Sequence, residues 1–394
     1  MATLLEGEIL EFHAKSEQNT RTTKFKKLDI ESSQSLDENL KNSLELAAKG
    51  VGLVSPNPLV GCVIVSTDGE VVGEGTYVKD NVTHAEAIAL GQAGEKAKGG
   101  TAYVSLEPHD HHGKTPPCTE ALINAGIKRV VVPIEDPNPL VSGSGFERLR
   151  NAGVEVVTGI LAEEASRLNE KFICWHKKGR PFVHLKLAMS LDGRISLTDS
   201  VSTALSGDDA RKRVQELRHE HDAILVGSTT ALVDNPALTD RSGMPRRRPL
   251  VRVILDNNLR LPLTGKLAVT AKETPTLVMT NCLDIEKIKP LQDAGVEVVP
   301  VTEGARNLAG VLEELKKREI QSVLVEGGTA VAGAFVDAGL VDKLTFIMAP
   351  IIIGGQAPAA IGGKGVESLA DALRLKDVTV THHGADIEVT GYPQ

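Results

Sequence analysis

The polar residues between positions 84 and 118 have the types and the spacing of a hydrolytic zinc site. His84 and Glu86 are separated by one residue, and His109 and Cys118 follow further along the chain. A hydrolytic zinc site uses three protein ligands and keeps one open position for water. His84, His109 and Cys118 would supply the three ligands. Glu86 would carry protons between the water and a leaving nitrogen.

Helix starts are predicted to position these residues. One helix begins near His84, and a second begins at Pro117-Cys118, where a proline suits the first turn because its missing N–H is not needed. The free N–H groups and the positive end of the helix dipole favour a thiolate at such a position. His-x-Glu followed by a proline and further ligands is the signature of the zinc-dependent deaminases.

That signature has cysteine where this chain has His109. Histidine is a workable ligand, but it replaces a thiolate by a neutral imidazole, which changes the charge of the site and makes the metal more electrophilic. The competing interpretation is that His109 is a solvated histidine in a polar loop, with His111 and His112 beside it. The joint order of strand, His-Ala-Glu, strand, Glu-Pro-His and Pro-Pro-Cys favours the zinc site.

Length and composition limit the classes of protein that fit. A chain of 394 residues exceeds what one hydrophobic core usually holds, so two domains are expected. The net charge of −8 argues against a sequence-independent nucleic-acid binder. No apolar run reaches membrane-spanning length, and the first residues lack a secretory pattern. Four scattered cysteines predict reduced thiols in a cytoplasmic protein.

Strands and helices alternate along both halves, which predicts mostly parallel sheets covered on both faces. A helix is expected from Asp37 to about Gly50, then a hairpin over residues 60–76 and a helix from Ala162 to about Lys177. Gly179-Arg180-Pro181 is the best domain boundary. The predicted organisation is a polar extension (1–35), a first domain (36–179) and a second domain (180–394).

From about residue 37 onwards the chain resembles the bifunctional riboflavin-biosynthesis deaminase/reductase family. The motifs of the first half that carry the resemblance are Pro56-Asn57-Pro58-Leu59-Val60-Gly61, His84-Ala85-Glu86, Leu106-Glu107-Pro108, the segment from His111 to Cys118, and Asp136-Pro137-Asn138-Pro139. Those of the second half are the segments from Lys186 to Arg194 and from Asp234 to Thr239, and Val325-Glu326-Gly327-Gly328.

The resemblance implies an α/β protein in which a cytidine-deaminase-like three-layer αβα domain precedes a dihydrofolate-reductase-like α/β domain. The first domain would hydrolyse the 2-amino group of 2,5-diamino-6-(5-phosphoribosylamino)pyrimidin-4-one with zinc. The second would reduce the ribosyl chain of 5-amino-6-(5-phosphoribosylamino)uracil to ribityl with NADPH. Relatives of this type commonly form dimers or tetramers through the reductase half, so a homo-oligomer is implied, with no nucleic acid or membrane partner.

The resemblance also implies roles for single residues. It makes Glu86 the proton donor, and it makes His84 and Cys118 zinc ligands, with His109 where the family has cysteine. The implied NADPH contacts are Ala188, Ala204, Thr230 and Asp234. The implied substrate contacts are Asn57, Ser202, Arg218, Leu238, Arg241 and Glu326.

Some of these roles also make physical sense from the residues themselves. Gly327 and Gly328 lie where a buried strand ends and a helix begins, so the backbone can approach a phosphate of NADPH, although an ordinary tight turn is the commoner use of two glycines. Arg218 and Arg241 could supply the cationic forks that a ribose 5-phosphate needs. Asp192, in Asp-Gly, is most simply a turn residue.

Two departures from the family leave alternatives open. Ala204 stands where the family often has a tryptophan near the cofactor, which would weaken NADPH binding. Because His109 replaces the cysteine of the family, the alternative is that the protein is a reductase with a degenerate, metal-free first domain. A nucleic-acid-editing deaminase would need a basic, aromatic-lined groove, which the acidic charge and 3% aromatic content disfavour. A non-catalytic regulatory protein is disfavoured because Glu86 and Cys118 are retained.

Overall fold

The computed structural model describes residues 30–111, 116–198, 200–201 and 203–394, with the side chains described from residue 37. The predicted polar extension up to residue 29, the candidate substrate contact Ser202 and the motif residues 112–115 lie outside the described residues. No helix in the described part of the chain is long and apolar enough to cross a membrane.

The first half of the chain forms a sheet in the order β2-β1-β3-β4-β5. Its strands are β1 (Gly61–Val65), β2 (Val71–Thr76), β3 (Thr101–Val104), β4 (Arg129–Val132) and β5 (Glu155–Thr158). The hairpin β1–β2 is antiparallel, as the Asp68-Gly69 turn predicts, and β1 also pairs antiparallel with β3. β3, β4 and β5 are parallel.

Helices cover both faces of this sheet. They are α1 (Ile30–Ala48), α2 (Ala85–Ala93), α3 (Cys118–Asn124), α4 (Ser144–Asn151), α5 (Ala162–Leu168) and α6 (Glu170–Lys178). Val63 of β1 packs with Leu40 of α1, whereas the next residue, Ile64, packs with Ala89 of α2. Because successive strand residues point to opposite faces, β1 contributes to two hydrophobic layers. The predicted three-layer αβα arrangement is confirmed.

Two glycines let α2 lie close against β2. A Cβ atom on Gly75 would come within 2.0 Å of the Ala85 carbonyl oxygen, and one on Gly73 would come equally close to that of Ala89. Only glycine allows a helix backbone to approach a strand at this distance. The contact fixes the amino end of α2, where His84 is the N-cap and Glu86 lies in the first turn.

The second half forms a sheet in the order β10-β9-β8-β7-β11-β6-β12-β14-β13 within the described residues. Its strands are β6 (Phe182–Ser190), β7 (Ala223–Gly227), β8 (Val251–Leu255), β9 (Thr276–Thr280), β10 (Glu297–Pro300), β11 (Ser322–Val325), β12 (Lys343–Ala349), β13 (Leu375–His383) and β14 (Asp386–Pro393). Pairing is parallel from β10 to β12, and β14 and β13 join antiparallel.

Helices also cover both faces of the second sheet. They are α7 (Asp208–Glu220), α8 (Ser228–Val233), α9 (Lys266–Val269), α10 (Ile285–Asp293), α11 (Leu308–Lys317) and α12 (Thr329–Asp337). Val253 of β8 belongs to the core that contains Phe335 of α12, whereas Ile254 belongs to the core with Leu291 of α10. This arrangement is the predicted dihydrofolate-reductase-like α/β fold.

The prediction of one helix from Ala162 to about Lys177 was wrong. The helix is interrupted at Asn169, whose backbone has φ −100° and ψ 20°. The Asn169 side chain accepts a hydrogen bond from the Leu59 N–H at 2.9 Å and donates one to the Leu59 carbonyl at 3.0 Å. This contact between residues far apart in sequence outweighs the local helical pattern and divides the segment into α5 and α6.

Candidate functional site

A cavity of about 730 Å³ opens over the amino end of α2. Its lining includes Asn57, Tyr77, His84, Glu86, His109, Asp136, Phe172 and His176. The last two belong to α6, so the cavity is closed by the helix that leads to the second half of the chain. Glu86 lies in the inner wall of the cavity, and both it and Cys118 are buried, being 3% exposed.

The three predicted ligands converge at this wall. One ligand atom from each of His84, His109 and Cys118 lies within 4.8 Å of the others. The Nδ1 atom of His84 is 3.4 Å from the Cys118 Sγ atom, and the rings of His84 and His109 lie 4.5 Å apart. The prediction that these residues lie together therefore agrees with the geometry.

The electrostatics of His109 favour the form that binds metal. Burial and, after it, the neighbouring imidazoles of His84 and His111 together lower the pKa of His109 to about 4, whereas Asp110 opposes them. A neutral imidazole is the form that ligates zinc. His109 is thus uncharged at neutral pH.

Cys118 differs from the expectation based on its helix. Burial raises the pKa of the Cys118 thiol well above its ordinary value, and the Glu86 carboxylate beside it raises it further. Both effects act against the thiolate that the positive end of α3 was expected to stabilise. A cation held between Cys118 and the two histidines would restore the thiolate, because a metal deprotonates a coordinating thiol.

The donor set fits zinc. Two imidazoles and one thiol face each other, and three such ligands leave one position open. The Glu86 Oε2 atom is buried and has no hydrogen-bond partner within the described residues. Since buried polar atoms are nearly always paired, this oxygen is available to a water or to a ligand in the cavity.

Asn57 and Tyr77 also line the cavity. The Asn57 Nδ2 atom donates to the Tyr77 hydroxyl at 2.7 Å, and the Tyr77 ring lies 5.3 Å from the ring of His84. Tyr77 was not predicted as a functional residue. The signal that could have identified it is a large aromatic residue at the end of β2, directly before the segment that leads to His84.

Glu107 shapes another wall through hydrogen bonds to the backbone. Its two carboxylate oxygens accept from the N–H groups of Asp136, Gly143, Gly145 and Phe146 at 3.0–3.3 Å. The loop before α4 is thereby held over the cavity with Asp136 facing inward. Burial raises the pKa of Asp136 to about 6, with Glu107 adding to the shift and the Asn138 N–H opposing it.

In the second half, Arg218 and Glu326 form a partly buried ion pair. The Arg218 Nε and Nη2 atoms lie 2.8 and 3.0 Å from the two carboxylate oxygens of Glu326. Lys186 Nζ lies 3.8 Å from the same carboxylate. Burial opposes ionisation of Glu326, but Arg218 and Lys186 outweigh it and lower the pKa of Glu326 to about 2.

Lys186 was missed as a site residue. It is 7% exposed and lies in the middle of β6, where burial lowers its pKa, Glu326 partly restores it and Arg218 lowers it again. The available signal was a lysine inside an otherwise apolar strand, since lysine is seldom fully buried without a partner.

Two helix starts lie side by side at the carboxyl ends of parallel strands β7 and β11. Gly328 is the N-cap of α12, and a Cβ atom on it would lie 3.7 Å from the Thr230 hydroxyl of α8. A Cβ atom on Gly327 would come within 2.6 Å of Val331. A close backbone approach next to helix N–H groups suits a phosphate, so these residues fit NADPH.

The structure says less about the other three predicted cofactor contacts. Asp234 is exposed just after α8, and Ala204 is exposed before α7. Ala188 lies on β6, three residues beyond Leu185, which pairs with Val325 of β11. These three stay predictions.

Leu238, Arg241 and Asp192 have distinct environments. Leu238 is 4% exposed and belongs to the core around α9 and α10, so a substrate contact through its side chain stays a prediction. Arg241 is exposed, and its N–H donates to the Gln215 side chain at 2.9 Å. Asp192 is in a turn, and its carboxylate also accepts from the N–H groups of Ile353 and Gly354.

Known proteins share both halves of this chain. A family model described as the RibD C-terminal domain matches residues 181–389, and one described as the cytidine and deoxycytidylate deaminase zinc-binding region matches residues 34–134. The riboflavin biosynthesis protein RibD of Aquifex aeolicus (strain VF5) is 43% identical over 355 residues, which cover 90% of this chain and 98% of that protein.

Solved structures agree over the same length. Acinetobacter baumannii RibD has a TM-score of 0.82 and 38% identity, covering 92% of this chain and 99% of that one. A Thermotoga maritima structure described as a diaminohydroxyphosphoribosylaminopyrimidine deaminase/5-amino-6-(5-phosphoribosylamino)uracil reductase has a TM-score of 0.82 and 36% identity, covering 92% of this chain and 100% of that one.

Proposed function

Because this chain belongs to the RibD family of riboflavin-biosynthesis proteins, we propose which of its residues carry each of two reactions. The protein is a bifunctional enzyme. Its zinc-dependent deaminase hydrolyses the 2-amino group of 2,5-diamino-6-(5-phosphoribosylamino)pyrimidin-4-one. Its NADPH-dependent reductase converts the ribosyl chain of 5-amino-6-(5-phosphoribosylamino)uracil to ribityl.

For the deaminase, the supporting observation is the convergence of His84, His109 and Cys118 beside Glu86. The three side chains would hold zinc, which when bound polarises a water and lowers its pKa. Glu86 would take a proton from the attacking water and return it to the departing amine. Its buried position supports this role, because Oε2 has no competing hydrogen bond within the described residues. Asn57, held by Tyr77, would orient the pyrimidine.

For the reductase, Lys186, Arg218 and Glu326 would bind and orient the sugar. Gly327, Gly328 and Thr230 would hold NADPH, which when bound would supply a hydride for the reduction of the ribose. Glu326 fills the fork of Arg218, so the two side chains would contact the sugar as a pair. Lys186 is the buried ammonium group that would donate a proton to the substrate.

The remaining predicted contacts are assigned to the same two ligands. We place Ala188, Ala204 and Asp234 near NADPH, and Leu238 and Arg241 near the substrate, as the family resemblance implies. Ser202 is assigned to the substrate on the resemblance alone.

Metal analysis and turnover assays test the deaminase assignment. Purified protein is expected to contain about one zinc per chain and to release ammonia from the diaminopyrimidinone substrate. Glu86→Gln should keep the zinc and lose turnover, whereas His109→Ala should lose both. His109→Cys is the matched variant with the family's ligand. A wild-type protein without zinc or turnover, restored by His109→Cys, would instead mean that this chain is a reductase with a lapsed first domain.

We also propose the domain limits, the cellular location and the assembly of the protein. We place the domain boundary at residues 179–180, because the first sheet ends at Thr158 and the second begins at Phe182. Cytoplasmic location agrees with the four free cysteines. A homo-oligomer through the reductase half is supported by edge strand β13, where Val378 and Val380 are half or more exposed. Light scattering tests the assembly directly.

A further inference from the structure

The loop that carries Asn57 is held by side chains from the second half of the chain. Residues 49–60 join α1 to β1 and line the deaminase cavity through Pro56, Asn57 and Pro58. Among the described residues, three carbonyl groups and one hydroxyl group of this loop form hydrogen bonds with residues beyond position 220. The deaminase half therefore does not fix this loop by itself.

Arg247 forms two of these contacts. Its backbone N–H donates to the Gly52 carbonyl at 2.9 Å, and its Nη2 atom donates to the Ser55 carbonyl at 2.7 Å. Ser55 lies only two residues before Asn57. The side chain of Arg247 thus acts on the backbone next to the predicted pyrimidine contact, at a partly buried position where solvent competes less well for the hydrogen bond.

Gln321, Asp222 and Arg248 form the other contacts, and Arg248 Nη2 donates to the Ser55 hydroxyl oxygen at 3.2 Å. Gln321 Nε2 donates to the carbonyl of Pro56 at 2.7 Å, and the Ser55 hydroxyl donates to Asp222 Oδ2 at 2.8 Å. Asp222 is 7% exposed, and its Oδ2 atom also accepts from the N–H groups of Gln321 and Ser322. Asp222 and Gln321 lie where β7 and β11 begin, so the anchor belongs to the rigid centre of the second sheet.

Asn57 is thus fixed from two sides. Within the deaminase half, its N–H donates to the Val54 carbonyl at 2.9 Å, and its side chain donates to Tyr77. From the reductase half, Arg247 and Gln321 hold the two residues that precede it. A group that must be placed to within a fraction of an ångström requires such support, because catalytic and binding groups lose efficiency when their surroundings loosen.

We propose that Arg247 and Gln321 of the reductase half are positioning residues for deamination, which act through Ser55 and Pro56 to hold Asn57 against the pyrimidine. This inference rests on the proposed role of Asn57. It means that the deaminase site is completed by the second domain, although neither residue touches the substrate. The affinity of the deaminase for its substrate then depends on the reductase half of the same chain.

The inference is tested with variants of the full-length protein, for which the KM and the kcat of deamination are measured separately. Arg247→Ala is expected to raise the deaminase KM about five- to tenfold, as the loss of one partly buried hydrogen bond implies. Its kcat, its zinc content and the reductase constants should stay within about twofold. Arg247→Lys, which keeps a donor, should recover most of the KM. Gln321→Ala should resemble Arg247→Ala.

Arg318→Ala is the matched control. Arg318 pairs with Glu297 and Glu314 within the reductase half, so its loss should leave the deaminase KM unchanged. A second readout is the hydrogen–deuterium exchange of the backbone over residues 50–58. Exchange should accelerate in Arg247→Ala and not in Arg318→Ala.

Two results would overturn the inference. One is an unchanged deaminase KM in Arg247→Ala and Gln321→Ala. The other is a combined fall of kcat, zinc content and reductase activity, which would show a general loss of structure. A wild-type protein that binds no zinc and does not deaminate would instead refute the proposed deaminase function. In that case the exchange over residues 50–58 still decides the role of Arg247, and unchanged exchange refutes it.

Discussion

The side-chain amide of Asn57 donates to the hydroxyl of Tyr77 over 2.7 Å, and this bond joins the loop after α1 to the end of β2. Tyr77 is 7% exposed, and its ring also lies 5.3 Å from the ring of His84. The hydroxyl thus fixes which face of the Asn57 amide is presented to the cavity. The amide has one acceptor oxygen and two donor hydrogens, so its orientation decides which edge of a pyrimidine it can bind.

We expect Tyr77→Phe to raise the deaminase KM about three- to tenfold, because Asn57 loses the acceptor that orients it. The aromatic ring is kept, so zinc binding and kcat should change little. Steady-state deamination assays measure both constants. Tyr103→Phe is the matched control, since Tyr103 is also buried but lies in the core formed with α1. Equal effects of the two substitutions would contradict the assignment to Tyr77.

The pKa of Asp136 predicts a pH-dependent stability. Burial raises this pKa from 3.8 to about 6. The folded state therefore binds the proton more tightly than the unfolded state, and the resulting stabilisation is complete below about pH 4 and lost as the pH rises through about 6. A shift of this size corresponds to about 2–3 kcal/mol.

Asp136→Asn should remove this pH-dependent contribution to the free energy of unfolding. The difference in free energy of unfolding between the variant and the wild type should be small at pH 4 and should favour the variant above pH about 6.5, by about 2–3 kcal/mol. Urea denaturation at a series of pH values measures this difference, and subtraction cancels the other titrating groups. A difference that does not vary with pH would show that the carboxyl of Asp136 is not shifted.

The zinc ligands were predictable because their pattern is local. His84 and Glu86 are set by one helix start, and Cys118 by another, so sequence spacing alone indicates their placement. Their convergence with His109 depends on β3 lying antiparallel beside β1, a pairing that the alternation of strands and helices does not predict. Most strands and helices were found for the same reason, since their hydrophobic periods are visible in the sequence.

What could not be predicted depends on contacts between distant residues. The break at Asn169 needs Leu59, which is 110 positions away. The hydrogen bonds that fix Ser55 come from Arg247 and Asp222, which belong to the other half of the chain. A strand end was expected at His382-His383, but the bounds of β13 were not predicted, because most of its residues are exposed and give it no buried face. No local pattern records such contacts.

Gly327 tests the predicted NADPH phosphate site. Gly327→Ala places a Cβ atom within 2.6 Å of Val331, so α12 must move away from β11. The start of this helix is where a phosphate would bind. We therefore expect the KM for NADPH to rise by about tenfold or more. Reductase assays at varied NADPH concentration measure this change.

The steric effect of Gly327→Ala on NADPH binding can be separated from its effect on the freedom of the backbone. Removing the whole Val331 side chain, including the Cβ atom 2.6 Å from the new methyl group, in the double variant Gly327→Ala/Val331→Gly should recover much of the NADPH affinity. The single variant Val331→Gly controls for the cavity and for the glycine that this change places in α12. If the double variant is as weak as Gly327→Ala, the close contact with Val331 is not the reason for glycine at this position.

Lys186 should set the alkaline limit of the reductase. Burial lowers the pKa of Lys186 below its ordinary value, so the ammonium group loses its proton at a lower pH than an exposed lysine does. If the protonated form donates to the substrate, kcat falls as the pH rises through this lowered pKa. Glu326, with a pKa of about 2, stays ionised over the same range and cannot cause this fall.

Lys186→Arg keeps the charge and does not titrate below about pH 12, so it should move the alkaline fall of kcat to higher pH while lowering the maximum rate. The pH profile of kcat, followed by NADPH oxidation in both proteins, measures the difference. An alkaline limb that is unchanged in Lys186→Arg would assign the proton to another group.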